Sequence, residues 1–158
     1  KWDGTLDKFV GDEIMAFWGA PVDQPNHAEL AVRCALNMAH SLSKMQEKWM
    51  REGKEVLDCG IGINTGEVII GNIGATGKKM DYTVMGDHVN LAARVEKLTR
   101  EYNAKIIVTE FTIGHLDALI KEGLIGHCQL EERDNVRVKG KEKEVKIFEL
   151  KGLKHGEI

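Results

Sequence analysis

Asn90 and Arg94 stand four residues apart, the spacing that sets two side chains one above the other on a helix face. An amide stacked on a guanidinium near a helix start suits a polyanionic ligand. The helix end favours negative charge, and Arg forks onto phosphate oxygens. The same pair also reads as the polar face of an ordinary surface helix that meets water. Four further charged positions sit at turns or in strands. Asp12 is at the tip of a Gly11-Asp12 turn with its carboxylate free to point outward, although Gly-Asp is also plain turn chemistry. Lys8 lies inside a strand, where Lys is disfavoured, and reads as an edge charge that blocks aggregation. Lys139 and Lys141 flank Gly140 in a turn that reads as a solvated loop.

These residues need elements to hold them. The spacing predicts strands over 5–10 and 13–18, joined by the tight Gly11-Asp12 turn. Asn26 with Glu29 three residues on forms a capping-box pattern. Ala31, Cys34, Ala35, Met38, Leu42, Met45 and Trp49 then keep helical spacing to a stop at Gly53, a stripe read as core packing. His27 and His40 fall on the surface of that helix. Residues 57–65 alternate Cys59, Ile61 and Ile63 against Gly60, Gly62 and Asn64, so one face is apolar and the other nearly bare, which admits a close neighbour. After a Thr65-Gly66 turn, residues 67–73 return as a second strand. The run 80–94 turns at Gly86 and opens a helix to Tyr102 with Asp87 as its N-cap; Leu91, Val95 and Leu98 form its apolar stripe. A strand over 105–109, short helical turns over 110–120, an irregular or strand-like stretch over 126–138 and a final strand over 145–150 complete the order. The domain is drawn over 1–151, with 152–158 as a tail or linker.

Composition removes several function classes. The chain has 158 residues, 42% hydrophobic and 30% charged, which describes one soluble globular domain. A net charge of −3 with mixed signs leaves no electrostatic footprint for nucleic acid. Cys34, Cys59 and Cys128 are widely spaced and suggest a reducing compartment and no metal-type Cys pair. No apolar run approaches the ~20 residues of a membrane helix, and no signal peptide is visible. Gly71 to Lys78 fails the phosphate-loop pattern, because Asn72 and Lys79 stand where Gly and Ser or Thr are required, and reads as a connector. Gly60, Gly62 and Gly66 miss the dinucleotide fingerprint by one position.

The near-continuous run from Asp81 to Arg94, Asp-Tyr-Thr-Val-Met-Gly-Asp-His-Val-Asn-Leu-Ala-Ala-Arg, resembles the signature of class III nucleotide cyclases of the bacterial adenylate cyclase type. Asp7-Lys-Phe-Val-Gly-Asp-Glu13 and Phe17-Trp-Gly-Ala-Pro21 also fit that family. The resemblance implies an α/β (α+β) fold of the ferredoxin-like, palm type, with a mostly antiparallel central sheet flanked by helices. It implies conversion of ATP to cyclic AMP and pyrophosphate by attack of the ribose 3′-hydroxyl on the α-phosphate. Two divalent metal ions, Mg or Mn, are implied, with Asp12 as a ligand. Arg94 would stabilise the phosphoryl charge and Asn90 would orient the ribose. Lys8 and Thr83 would read the adenine edge, and Lys139 would hold the terminal phosphates, with Lys141 as fallback. A homodimer with sites at its interface, a cytoplasmic location and a linked sensor or regulatory domain, with the full-length protein membrane-attached in some relatives, are also implied.

One departure accompanies the match. The family domain opens with a strand that carries the first metal aspartate, and nothing over residues 1–7 matches it. By comparison with an ordinary domain size, about a quarter of the usual domain is expected to lie outside this sequence. The expectation is that the chain as given is inactive or nearly so. A catalytically inactive cyclase-homology module, serving dimerisation or nucleotide sensing, is the alternative. The absence of a Gly-Gly-Asp/Glu-Glu-Phe run argues against a diguanylate cyclase.

Overall fold

The computed structural model describes residues 1–74, 81–116, 128–137 and 144–153. Eight strands and three helices are described: β1 (Thr5–Val10), β2 (Glu13–Phe17), α1 (His27–Arg51), β3 (Ile61–Ile63), β4 (Ile69–Ile73), β5 (Asp81–Met85), α2 (Asp87–Glu101), β6 (Ile106–Thr109), α3 (Glu110–Gly114), β7 (Cys128–Arg137) and β8 (Glu144–Leu153). The strands form a four-stranded sheet in the order β3-β6-β8-β7 and two hairpins, β1-β2 and β4-β5. Only the β3–β6 pair is parallel among these pairings. The result is the mixed α/β, mostly antiparallel architecture that the resemblance implied.

The four-stranded sheet is covered on both faces, and the sequence shows why. Strand β6 reads Ile-Ile-Val-Thr and is buried at every position, so successive side chains feed two cores. Ile106 and Val108 join Ala28, Val32, Ala35 and Leu36 of α1 and Leu150 of β8. Ile107 joins Leu91 and Val95 of α2 and Val145 and Ile147 of β8. The amphipathic stripe of α2 is therefore what docks it on the sheet.

The close neighbour expected at the bare face of residues 57–65 is α2. A Cβ on Gly62 would lie 2.3 Å from the Glu96 backbone nitrogen and 2.8 Å from the Ala92 carbonyl oxygen. A Cβ on Gly60 would meet the Thr99 side chain at 1.9 Å. The strand itself is shorter than expected, and its partner differs. Residues 67–73 do not return beside it: β3 pairs in parallel with β6, and β4 pairs with β5. Burial explains the preference, since β6 offers β3 a seat in the buried sheet while Leu57, Val68 and Ile69 stay exposed.

Both helix starts differ from the capping patterns. Asn26 has φ −99° and ψ 24° and makes no side-chain cap, while Glu29 turns to Arg33 Nε at 2.7 Å. Gly86, not Asp87, is the N-cap of α2; its φ of 143° is one that a side chain rarely adopts, so the turn into the helix depends on glycine. Asp87 moves into the first turn, where its charge meets the helix dipole. The stripe of α1 is core only over its first half. Met38 and Met45 are exposed, because a 25-residue helix of about 37 Å outruns the short strand β3 beneath it.

Two glycines with opposite surroundings test this account. Gly62→Ala should destabilise the fold by about 1–3 kcal/mol, because the obstructing atoms are backbone. Gly71→Ala, with nothing within 4 Å of its Cβ, should stay within about 0.5 kcal/mol of the parent. Chemical denaturation of both variants decides the matter.

Candidate functional site

The hairpin β1-β2 lies against β5, and a β-bulge between Leu6 and Lys8 sets the contact. In a regular strand, neighbouring side chains point to opposite faces; a bulge re-aims one of them. Asp7 and Lys8 accordingly come together, with Lys8 Nζ 3.8 Å from Asp7 Oδ1. The Asp7 side chain is 1% exposed and that of Lys8 is 41% exposed. Asp7 Oδ2 accepts a hydrogen bond from Thr83 Oγ1 at 2.7 Å, across 76 residues of sequence. Asp7 Oδ1 is buried and has no hydrogen-bond partner. Phe17 and Tyr82 rings meet beside this cluster at 6.3 Å between centroids. An ammonium, a carboxylate and a buried hydroxyl thus converge from two separate elements.

Lys8 and Thr83, singled out in the sequence, are brought together here. Asp7 was not singled out. Its signal was present: two adjacent charged residues interrupt a strand, which breaks alternation and foretells a bulge.

Asn90 and Arg94 both stand on the exposed side of α2, while Leu91 and Val95 on its other side are buried. A polar network fixes the first turn of that helix. Asn64 Nδ2 donates to the His88 carbonyl oxygen at 2.9 Å and lies 3.2 Å from His88 Nδ1. Thr109 Oγ1 donates to Asn64 Oδ1 at 2.7 Å, and the same hydroxyl oxygen caps α3 by accepting from the Thr112 amide. Thr109 and Thr112 are fully buried, so the network is satisfied within the core, where an unmade bond would be costly.

Asp12 stands exposed at the tip of the β1-β2 turn, beside Gly11 at φ +64°. A carboxylate there can accept a hard divalent cation, which takes few protein carboxylates when phosphates supply other oxygens. Among the described residues no group of three His, Cys, Asp or Glu side chains could hold a metal ion. Asp12 fits part of a metal site, not a whole one. Lys139 and Lys141 lie outside the described residues. Displaced titrations occur away from this region: burial, then the neighbouring His115, pushes His27 down, against a smaller opposing pull from Asp23. Among the described residues, no helix is long and apolar enough to cross a membrane.

Comparison with known proteins identifies the family and the fold. The family "Adenylate and Guanylate cyclase catalytic domain" matches residues 7–152. The chain is 40% identical over 147 residues to the terminal-differentiation specific adenylate cyclase of Dictyostelium discoideum, covering 93% of this chain and 6% of that protein. It spans less than a third of the length of the curated relatives it matches first. Among solved structures, the adenylyl cyclase CyaB from P. aeruginosa superposes with a TM-score of 0.77 at 29% identity, over 94% of this chain and 72% of that one. The guanylyl cyclase Cya2 superposes with a TM-score of 0.77 at 34% identity, over 98% and 73%. An adenylyl and a guanylyl cyclase match the fold equally well, so the fold leaves the base open. With the signature on α2 and the match running from Asp7 through almost the whole chain, this protein belongs to the adenylate and guanylate cyclase catalytic domain family.

Proposed function

We propose that this chain is the catalytic domain of an adenylate cyclase that converts ATP to 3′,5′-cyclic AMP and pyrophosphate. The observation that carries the reading is the meeting of Lys8 and Thr83 around Asp7. An ammonium can donate to ring nitrogen N1 of adenine, and a hydroxyl can accept from its 6-amino group. Guanine carries a proton on N1, so Lys8 would face another donor and leave a buried group unpaired.

Arg94, Asn90 and Asp12 have tasks that their positions support, and Lys139 has one that the resemblance implies. Arg94 on the exposed face of α2 neutralises charge that grows on the α-phosphate, and Asn90 one turn earlier orients the ribose for in-line attack. Lys139 holds the terminal phosphates. Asp12 is the metal ligand that this chain supplies. Bound divalent ions, Mg or Mn, would lower the pKa of the 3′-hydroxyl and neutralise the triphosphate. No protein nucleophile is needed.

A symmetric homodimer, with one copy giving Asp12 and the other α2, is the assembly that places all these groups on one nucleotide. Leu6, Phe9, Val10 and Ile14 of the β1-β2 hairpin are 54–66% exposed, and Ile69 is 70% exposed, an apolar surface consistent with a partner copy. The reading places the domain in the cytoplasm with its ATP, joined to a sensor or regulatory segment.

Cyclic AMP formation from ATP and cyclic GMP formation from GTP, in magnesium and in manganese, test the activity. The assay uses the chain as it stands and a version extended by the upstream strand of the family domain. Cyclic AMP is expected from the extended version and little or none from the chain as it stands, with Arg94→Ala in the extended version lowering kcat by about 10²–10³-fold and Asp12→Ala losing turnover. Dimerisation and nucleotide binding without either product would contradict the reading and favour a sensing module. For the assembly, Phe9→Lys should shift sedimentation from dimer to monomer; an unchanged dimer would exclude the hairpin from the interface.

A further inference from the structure

We propose that Asp7 is the positioning residue that makes the purine pocket select a 6-aminopurine nucleotide, by fixing which way the Thr83 hydroxyl points. The inference rests on the adenylate cyclase reading and adds a residue to it. A threonine hydroxyl alone is ambiguous, since it can donate or accept. It would serve a 6-amino group and a 6-oxo group alike. In this chain its one proton is taken: Thr83 Oγ1 donates to Asp7 Oδ2 at 2.7 Å. What remains for a ligand is lone pairs, and lone pairs fit only the amino edge.

The second carboxylate oxygen carries the argument further. Asp7 Oδ1 is buried without a hydrogen-bond partner, on a side chain that is 1% exposed. Burying an unpaired carboxylate oxygen is costly, and a native structure that keeps one needs a reason. Lys8 Nζ stands 3.8 Å away, beyond a hydrogen bond but close enough for Coulomb attraction to hold it beside Asp7. Asp7 therefore faces both base-reading groups, one through each oxygen. The bulge at Leu6/Lys8 is what allows it, because an unbulged strand would send Asp7 and Lys8 to opposite faces. Asp7 need not touch the base; it acts through Thr83 and Lys8.

The experiment compares ATP with inosine triphosphate, which differs only in its 6-oxo group and N1 proton. The ratio of the two is read as kcat/KM where turnover occurs and as Kd where it does not. Asp7→Asn is expected to lower the ATP preference by about tenfold, because its amide can donate to Thr83 and turn the hydroxyl proton outward. Thr83→Val should lower the preference similarly, and adding Asp7→Asn to it should change the ratio by less than it does in the parent. Equal losses for both nucleotides in Asp7→Asn, with the parent ratio kept, would reduce Asp7 to a structural residue and overturn the inference alone. Should Asp7→Asn fail to fold, Asp7→Ser and Thr83→Val carry the test, and a parent-like ratio in either overturns it. A parent that neither cyclises nor binds ATP contradicts the adenylate cyclase reading, and the inference with it.

Discussion

The whole arrangement depends on how closely α2 can approach β3. Gly60 and Gly62 present no side chains to the helix, and the backbone of Glu96 and the Thr99 side chain occupy the space that side chains would take. This contact is steric, so it is all or nothing; a methyl group at Gly62 has no flexible neighbour to displace. Leu91 and Val95 then bury against Ile107 and Ile147, which fixes the rotation of the helix. Once rotation is fixed, Asn90 and Arg94 must face outward together, because helical spacing binds them to the opposite side. Packing decides where the polar groups go.

Two further devices refine that placement. Gly86 sets the direction from which the chain enters α2, and the bonds from Asn64 to His88 hold its first turn against β3 and α3. On the other side, the bulge in β1 brings a Lys and an Asp to the same place and sets them against Thr83 of β5. The side chains proposed for phosphate and ribose contact and those proposed to read the base are therefore carried by adjoining elements, α2 and the hairpins that precede it.

Much of this was legible in the sequence. The apolar periods of 91, 95 and 98 and the bare glycine face located α2 and its seat, and the turn at Gly11-Asp12 located the first hairpin. Pairing was not legible: residues 57–65 and 67–73 look like a hairpin because they are adjacent and strand-like, yet burial against β6 outweighs adjacency. The N-cap position of α1 was read correctly at Asn26, although its side chain makes no cap bond, and that of α2 was misplaced by one residue at Asp87, because cap propensity is worth about 1 kcal/mol, less than the constraints that tertiary packing and a φ of 143° impose. The role proposed for Asp7 was not read either: the adjacent charges at 7 and 8 signal a bulge, but a contact across 76 residues leaves no periodic trace. The candidate site residues came from the resemblance, and the structure adds a carboxylate that touches two of them.

The central claim is that the Asp7, Lys8 and Thr83 cluster receives the base while Arg94 meets the α-phosphate. A crystal structure with 3′-deoxy-ATP, which lacks the attacking hydroxyl, tests it most directly. The account predicts the adenine 6-amino group within hydrogen-bond reach of Thr83 Oγ1, N1 within reach of Lys8 Nζ, and the α-phosphate beside the Arg94 guanidinium of the same copy, with the metal-binding carboxylate of Asp12 coming from the other copy. A nucleotide whose base lies away from Thr83 and Lys8, with the phosphates far from Arg94, would contradict it.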